Sequence, residues 1–393
     1  MTARATRNIA LYPWYAIFGE PLFWGPILIH YLETTAHMTL SDIYRMESVA
    51  LIVLFFLDVI FGSLADQIGY RKTILWGRGL LIAQMVGNCF LSAPWMAWAT
   101  NFIWVAGYAL ANGADQSLLY ESAKVTGQAE RATQVMARAM GLRYLIFAAA
   151  CALTGYLATV NLRLPIVMSL PFMLVPIVTA LLFADVVPSK KYARSEHWRL
   201  LLQGCKFVRQ NFAVFWIIVF STVLVVASKL WFFAYNDYFK VVGVPMQHWG
   251  LIFAGLNLVA CVSSVLTTRI VGRLGFGWGM ALCAASIVLP ILAMGLYPHP
   301  AMAWMVLLPN IHRGLMGPLK FAYLQKLLET ETRSTVASID TAFDWIFSAL
   351  GLWIFSAVTA TQAVPVSFVG LGLVTGFCVL GLMIVRPRNH AAM

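Results

Sequence analysis

Four side chains stand where the surrounding chain is almost free of charge: Glu20, Lys229, His312 and Arg313. Each offers different chemistry. A carboxylate held away from water can exchange protons or hold a cation. Glu20 lies between Gly19 and Pro21, with Pro13 and Pro26 nearby, and prolines bend a helix and free its backbone carbonyls. Arg313 keeps its charge at all working pH values and recognises anions through its planar fork. Lys229 is a point positive charge. His312 can relay a proton, or can simply pack and hydrogen-bond. Glu20 can equally serve as a structural partner of Arg313 or Lys229. Two positive charges against one negative favour an anionic or zwitterionic substrate.

Other reaction chemistry is thin. His37 and Asp42 form an H-x-x-x-x-D spacing that some acyltransferases use, but it stands in a short loop with no supporting domain. H-E-x-x-H, G-x-S-x-G and G-x-x-x-x-G-K-[ST] are absent from the sequence, so neither hydrolase chemistry nor direct ATP coupling is expected. Six cysteines, Cys89, Cys151, Cys205, Cys261, Cys283 and Cys378, show no CxxC pairing and fall mostly in apolar runs. They read as buried thiols, with no metal cage, disulfide frame or cofactor.

The elements that must hold these residues follow from composition. Of 393 residues, 61% are hydrophobic and 11% charged, against about 25% charged in soluble domains. Mean hydropathy is +0.78. So few charges cannot cover a water-exposed surface, and the expected fold class is an all-α integral membrane protein. A helix needs about 20 apolar residues to cross a bilayer. Runs near 9–32, 44–65, 73–94, 96–120, 137–160 and 163–185, then 211–235, 247–270, 276–297, 301–324, 337–360 and 363–386, predict twelve transmembrane helices. The first is too long for a signal peptide and has no small-residue cleavage site after it, so it is expected to be retained. Between the two sets, 186–210 carries Trp198, Leu201, Leu202, Cys205 and Val208 at helical spacing among Lys190, Lys191, Arg194, Arg199, Lys206 and Arg209. That pattern predicts an amphipathic helix on the membrane surface. The expected domains are therefore 1–185, a linker 186–210, and 211–393.

The formal charge of +11 does not point to nucleic acid, because the basic residues lie in small groups between apolar runs. With both termini in the cytoplasm, twenty of the 27 Lys and Arg fall in inside segments and only Arg163 and Lys240 in outside loops. The halves also repeat. Tyr120 and Arg131-Ala132-Thr133 recur as Tyr323 and Arg333-Ser334-Thr335, and Gly69 recurs as Gly272, at offsets of 202 or 203 residues.

The segment between the second and third spans reads Gly62-Ser63-Leu64-Ala65-Asp66-Gln67-Ile68-Gly69-Tyr70-Arg71-Lys72. It resembles the signature G-x-x-x-D-[RK]-x-G-x-[RK]-[RK] of the major facilitator superfamily. The physics fits: Gly62 would let two helices approach, and Gly69 permits a tight turn. Asp66 could latch to neighbouring groups, and Arg71 and Lys72 could anchor at the anionic leaflet. The resemblance implies two pseudo-symmetric six-helix bundles around a central cavity and rocker-switch alternating access. There are departures: Gln67 replaces a basic residue, and Arg269 stands where a second copy of Asp66 would be. The fourth span has Ala109-Leu110 where many proton-coupled members carry arginine. The fifth, from Gly141-Leu-Arg-Tyr to Gly155-Tyr, lacks the G-P-x-x-G-G pattern of drug/proton antiporters.

By the same resemblance, spans 1, 4, 7 and 10 surround the cavity. Glu20, Asn112, Asp115, Lys229, Tyr235 and Arg313 are then the candidate substrate contacts, and Glu20 and His312 the candidate proton-coupling groups. Asp58, Arg78, Glu121, Arg143, Asp340 and Asp344, together with Gly62, Asp66, Gly69, Arg71 and Lys72, are expected to gate the inner side. Tyr12, Tyr15, Trp24, Tyr108 and Trp231 offer stacking surfaces. The expected partners are a small-molecule substrate, protons and the lipid bilayer, acting on a monomer in a bacterial-style inner membrane. Two rival readings predict different behaviour: efflux of amphipathic or cationic drugs, and a receptor that binds without flux.

Overall fold

The computed structural model describes residues 2–127, 129–186, 204–328 and 330–387, and every regular element among them is a helix. Residues 187–203 of the expected surface helix lie outside the described residues; 204–210 are helical.

Seven helical stretches are long and apolar enough to cross a membrane: Gln134–Val160, Leu164–Leu182, Phe212–Val241, Met246–Thr267, Gly275–Leu296, Val336–Thr361 and Val364–Ile384. The other five expected spans are occupied by helices that are broken or that carry charge. The first splits into α1 (Thr2–Ile17), a short 3-10 turn (Gly25–Ile27) and α2 (Leu28–Thr35). Pro21 and Pro26 lack the N–H that a continuous helix needs there. The second and third are α3 (Leu40–Ile68) and α4 (Tyr70–Cys89), in which Arg45, Glu47, Asp58, Arg71, Lys72 and Arg78 dilute the apolar run. The fourth divides into α5 (Pro94–Ala111) and α6 (Ala114–Val125) at Gly113, whose φ is +83°. The tenth begins as a 3-10 segment (Pro300–Leu307) before α11 (Pro309–Leu327).

The remaining helices are α7 (Ala129–Val160), α8 (Leu164–Leu182), α9 (Phe212–Val241), α10 (Met246–Leu296), α12 (Thr330–Thr361) and α13 (Val364–Ile384). α10 bends at Gly275, where φ is +76°. Thus the turn glycine of the second half is Gly275, and Gly272, the repeat partner of Gly69, lies in helix.

The chain forms two compact units. One contains α1, α2, α4–α8 and α3 from Val49 onward; the other contains Thr39–Ser48 and α9–α13. In the first, Ile9, Tyr12 and Tyr15 of α1 pack on Ile74, Leu118, Leu119 and Phe183. In the second, the start of α3 is tied down by hydroxyls. Ser41 donates to the Ser356 carbonyl at 2.8 Å, Ser48 donates to Ala349 at 2.7 Å, and Tyr44 donates to Leu230. His37 and Asp42 are also explained here. Asp42 Oδ2 accepts from Thr39 N and Oγ1 at 3.1 and 2.6 Å, and Thr39 Oγ1 accepts from Asp42 N at 3.1 Å. This is a reciprocal cap on α3, and His37 takes the left-handed turn before it, with φ of +55°.

Candidate functional site

In the first unit the break in the first span builds the site. α1 stops at Ile17, and the freed Gly19 carbonyl accepts from Arg78 of α4. The same guanidinium donates from Nε to the Tyr15 hydroxyl at 2.9 Å and lies 4.4 Å over the Tyr15 ring centroid. Ser169 of α8 accepts from Phe23 N at 3.1 Å, holding the far side of the break. One residue past Gly19, Glu20 receives Arg143 of α7 in an ion pair of 2.5 Å. The Glu20 side chain is nonetheless 49% exposed, and that of Arg143 only 20%. The pair therefore presents a carboxylate to the surroundings while rooting its cation in the helix packing.

Gly113 performs the equivalent service in the fourth span. Its positive φ lets α6 start afresh, with Asp115 in the first turn, where a negative charge faces the helix N-terminus favourably. Asp115 lies within electrostatic reach of Arg78, Tyr12, Tyr15 and Tyr108, and Tyr108 is also within reach of Glu20, Asp58 and Arg143. Tyr108 stacks on Trp104, centroids 5.1 Å apart. Arg78 and Arg143 contact the break at Gly19 and Glu20 directly, and Tyr108 lies within electrostatic reach of both Glu20 and Asp115. An arrangement of alternating charge suits a ligand that carries both signs.

Replacing Arg78 by lysine should weaken this unit by about 1–3 kcal/mol, because an ammonium cannot fork between Tyr15 and Gly19 while stacking on the ring. Thermal unfolding of Arg78→Lys against the parent measures it, and an unchanged melting point would mean the fork carries no weight.

The second unit has its own cluster. Lys320 of α11 pairs with Asp340 of α12 at 2.5 Å and donates to Ser221 of α9 at 3.2 Å. Thr222 donates to Asp344 at 2.7 Å, and Lys229 lies within electrostatic reach of Asp344 and Glu47.

The structure redistributes several expectations. Arg78 and Arg143, expected at a gate, both serve the break beside Glu20, and Arg143 is the partner that the sequence did not assign to Glu20. Asp340 belongs to the Lys320 pair, and Lys320 itself was missed because it sits near the expected inner end of its span. A Cβ on Gly62 would meet nothing within 4 Å among the described residues. Gly69 does make the turn, with φ of +96° at the start of α4. Arg71 caps the end of α8, donating to Leu181 at 2.7 Å and Ala180 at 3.3 Å, and reaching Asp185 at 4.0 Å. Lys72 is exposed, Asp58 is half-buried and Glu121 is buried; the side chain of Asp66 lies outside the described residues. Asn112 forms the C-cap of α5. Tyr235 is 1% exposed, packed among Trp231, Phe232, Phe239 and Phe253. His312 is buried, and its Nε2 has no hydrogen-bond partner among the described residues. Arg313 is exposed on α11.

No protein-family model matches the chain, and no curated protein matches it. Solved structures do. A mutant form of the nucleoside transporter NupG aligns with a TM-score of 0.78 at 13% identity, covering 98% of both chains. A POT family transporter in complex with 5-aminolevulinic acid aligns with a TM-score of 0.74 at 12% identity, covering 98% of this chain and 96% of the other. The same coverage holds for a POT family transporter with a thioalcohol-conjugated peptide, with a TM-score of 0.73 at 13% identity. The chain has the major facilitator fold. With its apolar helices, that fold makes it a multi-pass integral membrane protein. On the major facilitator fold the clusters have recognisable addresses. Tyr15, Gly19 and Glu20 belong to the first expected span and Asp115 to the fourth; Ser221, Thr222 and Lys229 belong to the seventh and Lys320 to the tenth.

Proposed function

We propose that this chain is a secondary transporter that moves a small zwitterionic solute by alternating access of its two halves, driven by protons. The reading includes a monomer in a bacterial-type inner membrane with both termini cytoplasmic, on the Lys and Arg distribution. The observation that carries it is the half-exposed Glu20 carboxylate, held by Arg143 at 2.5 Å beside Arg78 and Asp115 at a helix break. Such a set binds an ammonium and a carboxylate of one small molecule at once. One structural neighbour is a complex with 5-aminolevulinic acid, a molecule of that chemical type, which supports the reading.

A thermal-stability panel on the detergent-purified chain tests it, since a ligand that binds only the folded state raises the melting point, by about 2.7 kcal/mol of stabilisation at a hundred times Kd. The probes are 5-aminolevulinic acid, dialanine, uridine, citrate and tetraphenylphosphonium. A zwitterion should stabilise the parent and accumulate in proteoliposomes under an inward proton gradient, and a protonophore should abolish the accumulation. Stabilisation by tetraphenylphosphonium alone would favour drug efflux and overturn the substrate class. Stabilisation without flux would make the chain a receptor.

A further inference from the structure

The second unit carries two carboxylates one helical turn apart, with one lysine between their claims. Asp340 and Asp344 lie at i and i+4 on α12, about 6 Å along the axis. Lys320 sits on Asp340 at 2.5 Å. The other Asp340 oxygen, Oδ1, is buried with no hydrogen-bond partner among the described residues. Asp344 has a different neighbourhood: the Thr222 hydroxyl donates to it at 2.7 Å, and Lys320, Lys229 and Asp340 are within electrostatic reach. Ser221, the residue before Thr222, is the second contact of Lys320 at 3.2 Å.

Both carboxylates lie within the apolar stretch Val336–Thr361, where an ionised side chain costs about 2.5–3.5 kcal/mol on insertion scales. Asp340 meets that cost with a direct cation. Asp344 has a hydroxyl, which serves a neutral carboxyl group as well as it serves a carboxylate. We propose that Asp344 is a proton-carrying carboxyl group of this chain and that Lys320 responds to its state. With the proton on Asp344, Lys320 stays on Asp340. When the carboxyl O–H bond breaks, the electron pair remains on Asp344 and the proton leaves to water. Lys320, an ammonium throughout, is then drawn one turn along α12 toward the new charge.

Among the described residues, the groups facing Asp344 come from three helices. α9 brings Lys229 and Thr222, α11 brings Lys320, and α12 brings Asp340 itself. Glu47, at the start of α3, acts through Lys229, and His312, two turns from Lys320 on α11, lies within its reach. The sole titratable residue of α13 is Cys378. Lys320 belongs to α11, which also bears His312 and Arg313, so the state of this proton is felt on that helix.

The inference deepens the proton-driven reading above, but its test needs no substrate. Infrared difference spectra of the purified full chain, recorded on stepwise acidification, report carboxyl groups that take up protons. The parent should gain a protonated-carboxyl band that Asp344→Asn lacks, and Thr222→Val should keep that band at a shifted position. If Asp344→Asn fails to fold, the Thr222→Val shift decides alone. A band unmoved in Thr222→Val, one retained in Asp344→Asn, or one removed only by Glu20→Gln would overturn the assignment. Failure of substrate flux in the parent would sink the transport reading and leave this band untouched.

Discussion

Arg143→Gln is expected to reduce zwitterion uptake at least tenfold, and the reason also fixes what the double variant should do. The guanidinium is mostly buried and meets Glu20 at 2.5 Å. Removing it leaves a carboxylate without this cation at a helix break. A fully buried pair broken on one side costs about 3–5 kcal/mol. Glu20 is half-exposed, so solvent screens it and the expected loss of stability falls to about 1–2 kcal/mol. Glu20→Gln leaves Arg143 as the unmatched partner and should destabilise for the same reason. Combining Glu20→Gln with Arg143→Gln removes both charges at once, and most of the lost stability should return. Uptake should not return, because the substrate's charges have then lost their counterparts. A tenfold loss corresponds to about 1.4 kcal/mol of transition-state stabilisation. Thermal unfolding and proteoliposome uptake, measured on the same three variants and the parent, separate the two outcomes. Recovery of uptake together with stability would make the pair a structural brace.

How far the sequence reveals this site depends on how local each signal is. Glu20 stands out because one charge in an apolar run is conspicuous, and Gly19, Pro21 and Pro26 announce the break beside it. Its partner does not stand out. Arg143 comes from α7, and sequence spacing offers no reason to choose it over Lys229 or Arg313. Arg78 is a similar case: its depth in the third span suggested gating, whereas the freed Gly19 carbonyl decides its direction. Local rules identify Gly69 as a turn point, and it takes positive φ; Gly113, which also takes positive φ, breaks a span expected to run without interruption over 96–120. At Gly62 the family-like spacing suggested a close helix approach, and a Cβ there would meet nothing within 4 Å among the described residues. The H-x-x-x-x-D spacing of His37 and Asp42 turns out to be turn and cap chemistry. Lys320 shows the converse error. Its type and position fit a loop anchor, and only the meeting of α9, α11 and α12 turns it into a partly buried ion-pair partner.

Gly77→Val is expected to abolish folded protein, an effect larger than any charge removal here. α4 and α5 cross with their backbones in contact. A Cβ on Gly77 would stand 2.7 Å from the Gly107 carbonyl oxygen and 2.8 Å from Ala111 N, while a Cβ on Gly107 would stand 2.9 Å from the Gly77 oxygen. Backbone atoms face each other on both sides, so no side chain can swing aside to make room. In a bilayer such close approach is a main source of helix association, because lipid tails compete equally well for apolar side chains. Overpacking costs about 1–3 kcal/mol where neighbours can yield, and here they cannot. Gly62→Ala and Gly79→Ala are the controls. Each Cβ meets nothing within 4 Å, and replacing a helical glycine by alanine gains about 0.5–1 kcal/mol. Fluorescence-detected gel filtration after heating should therefore show no monodisperse peak for Gly77→Val and unchanged or higher melting points for the two controls. Gly77→Ala should fall between them, and its behaviour connects packing to the site. Arg78 is the next residue, so any parting of α4 from α5 moves the guanidinium off Tyr15 and the Gly19 carbonyl and slackens the break that presents Glu20. Folded Gly77→Ala protein should lose uptake in proportion to that displacement; if it transports like the parent, the α4–α5 crossing stabilises the unit without positioning Arg78.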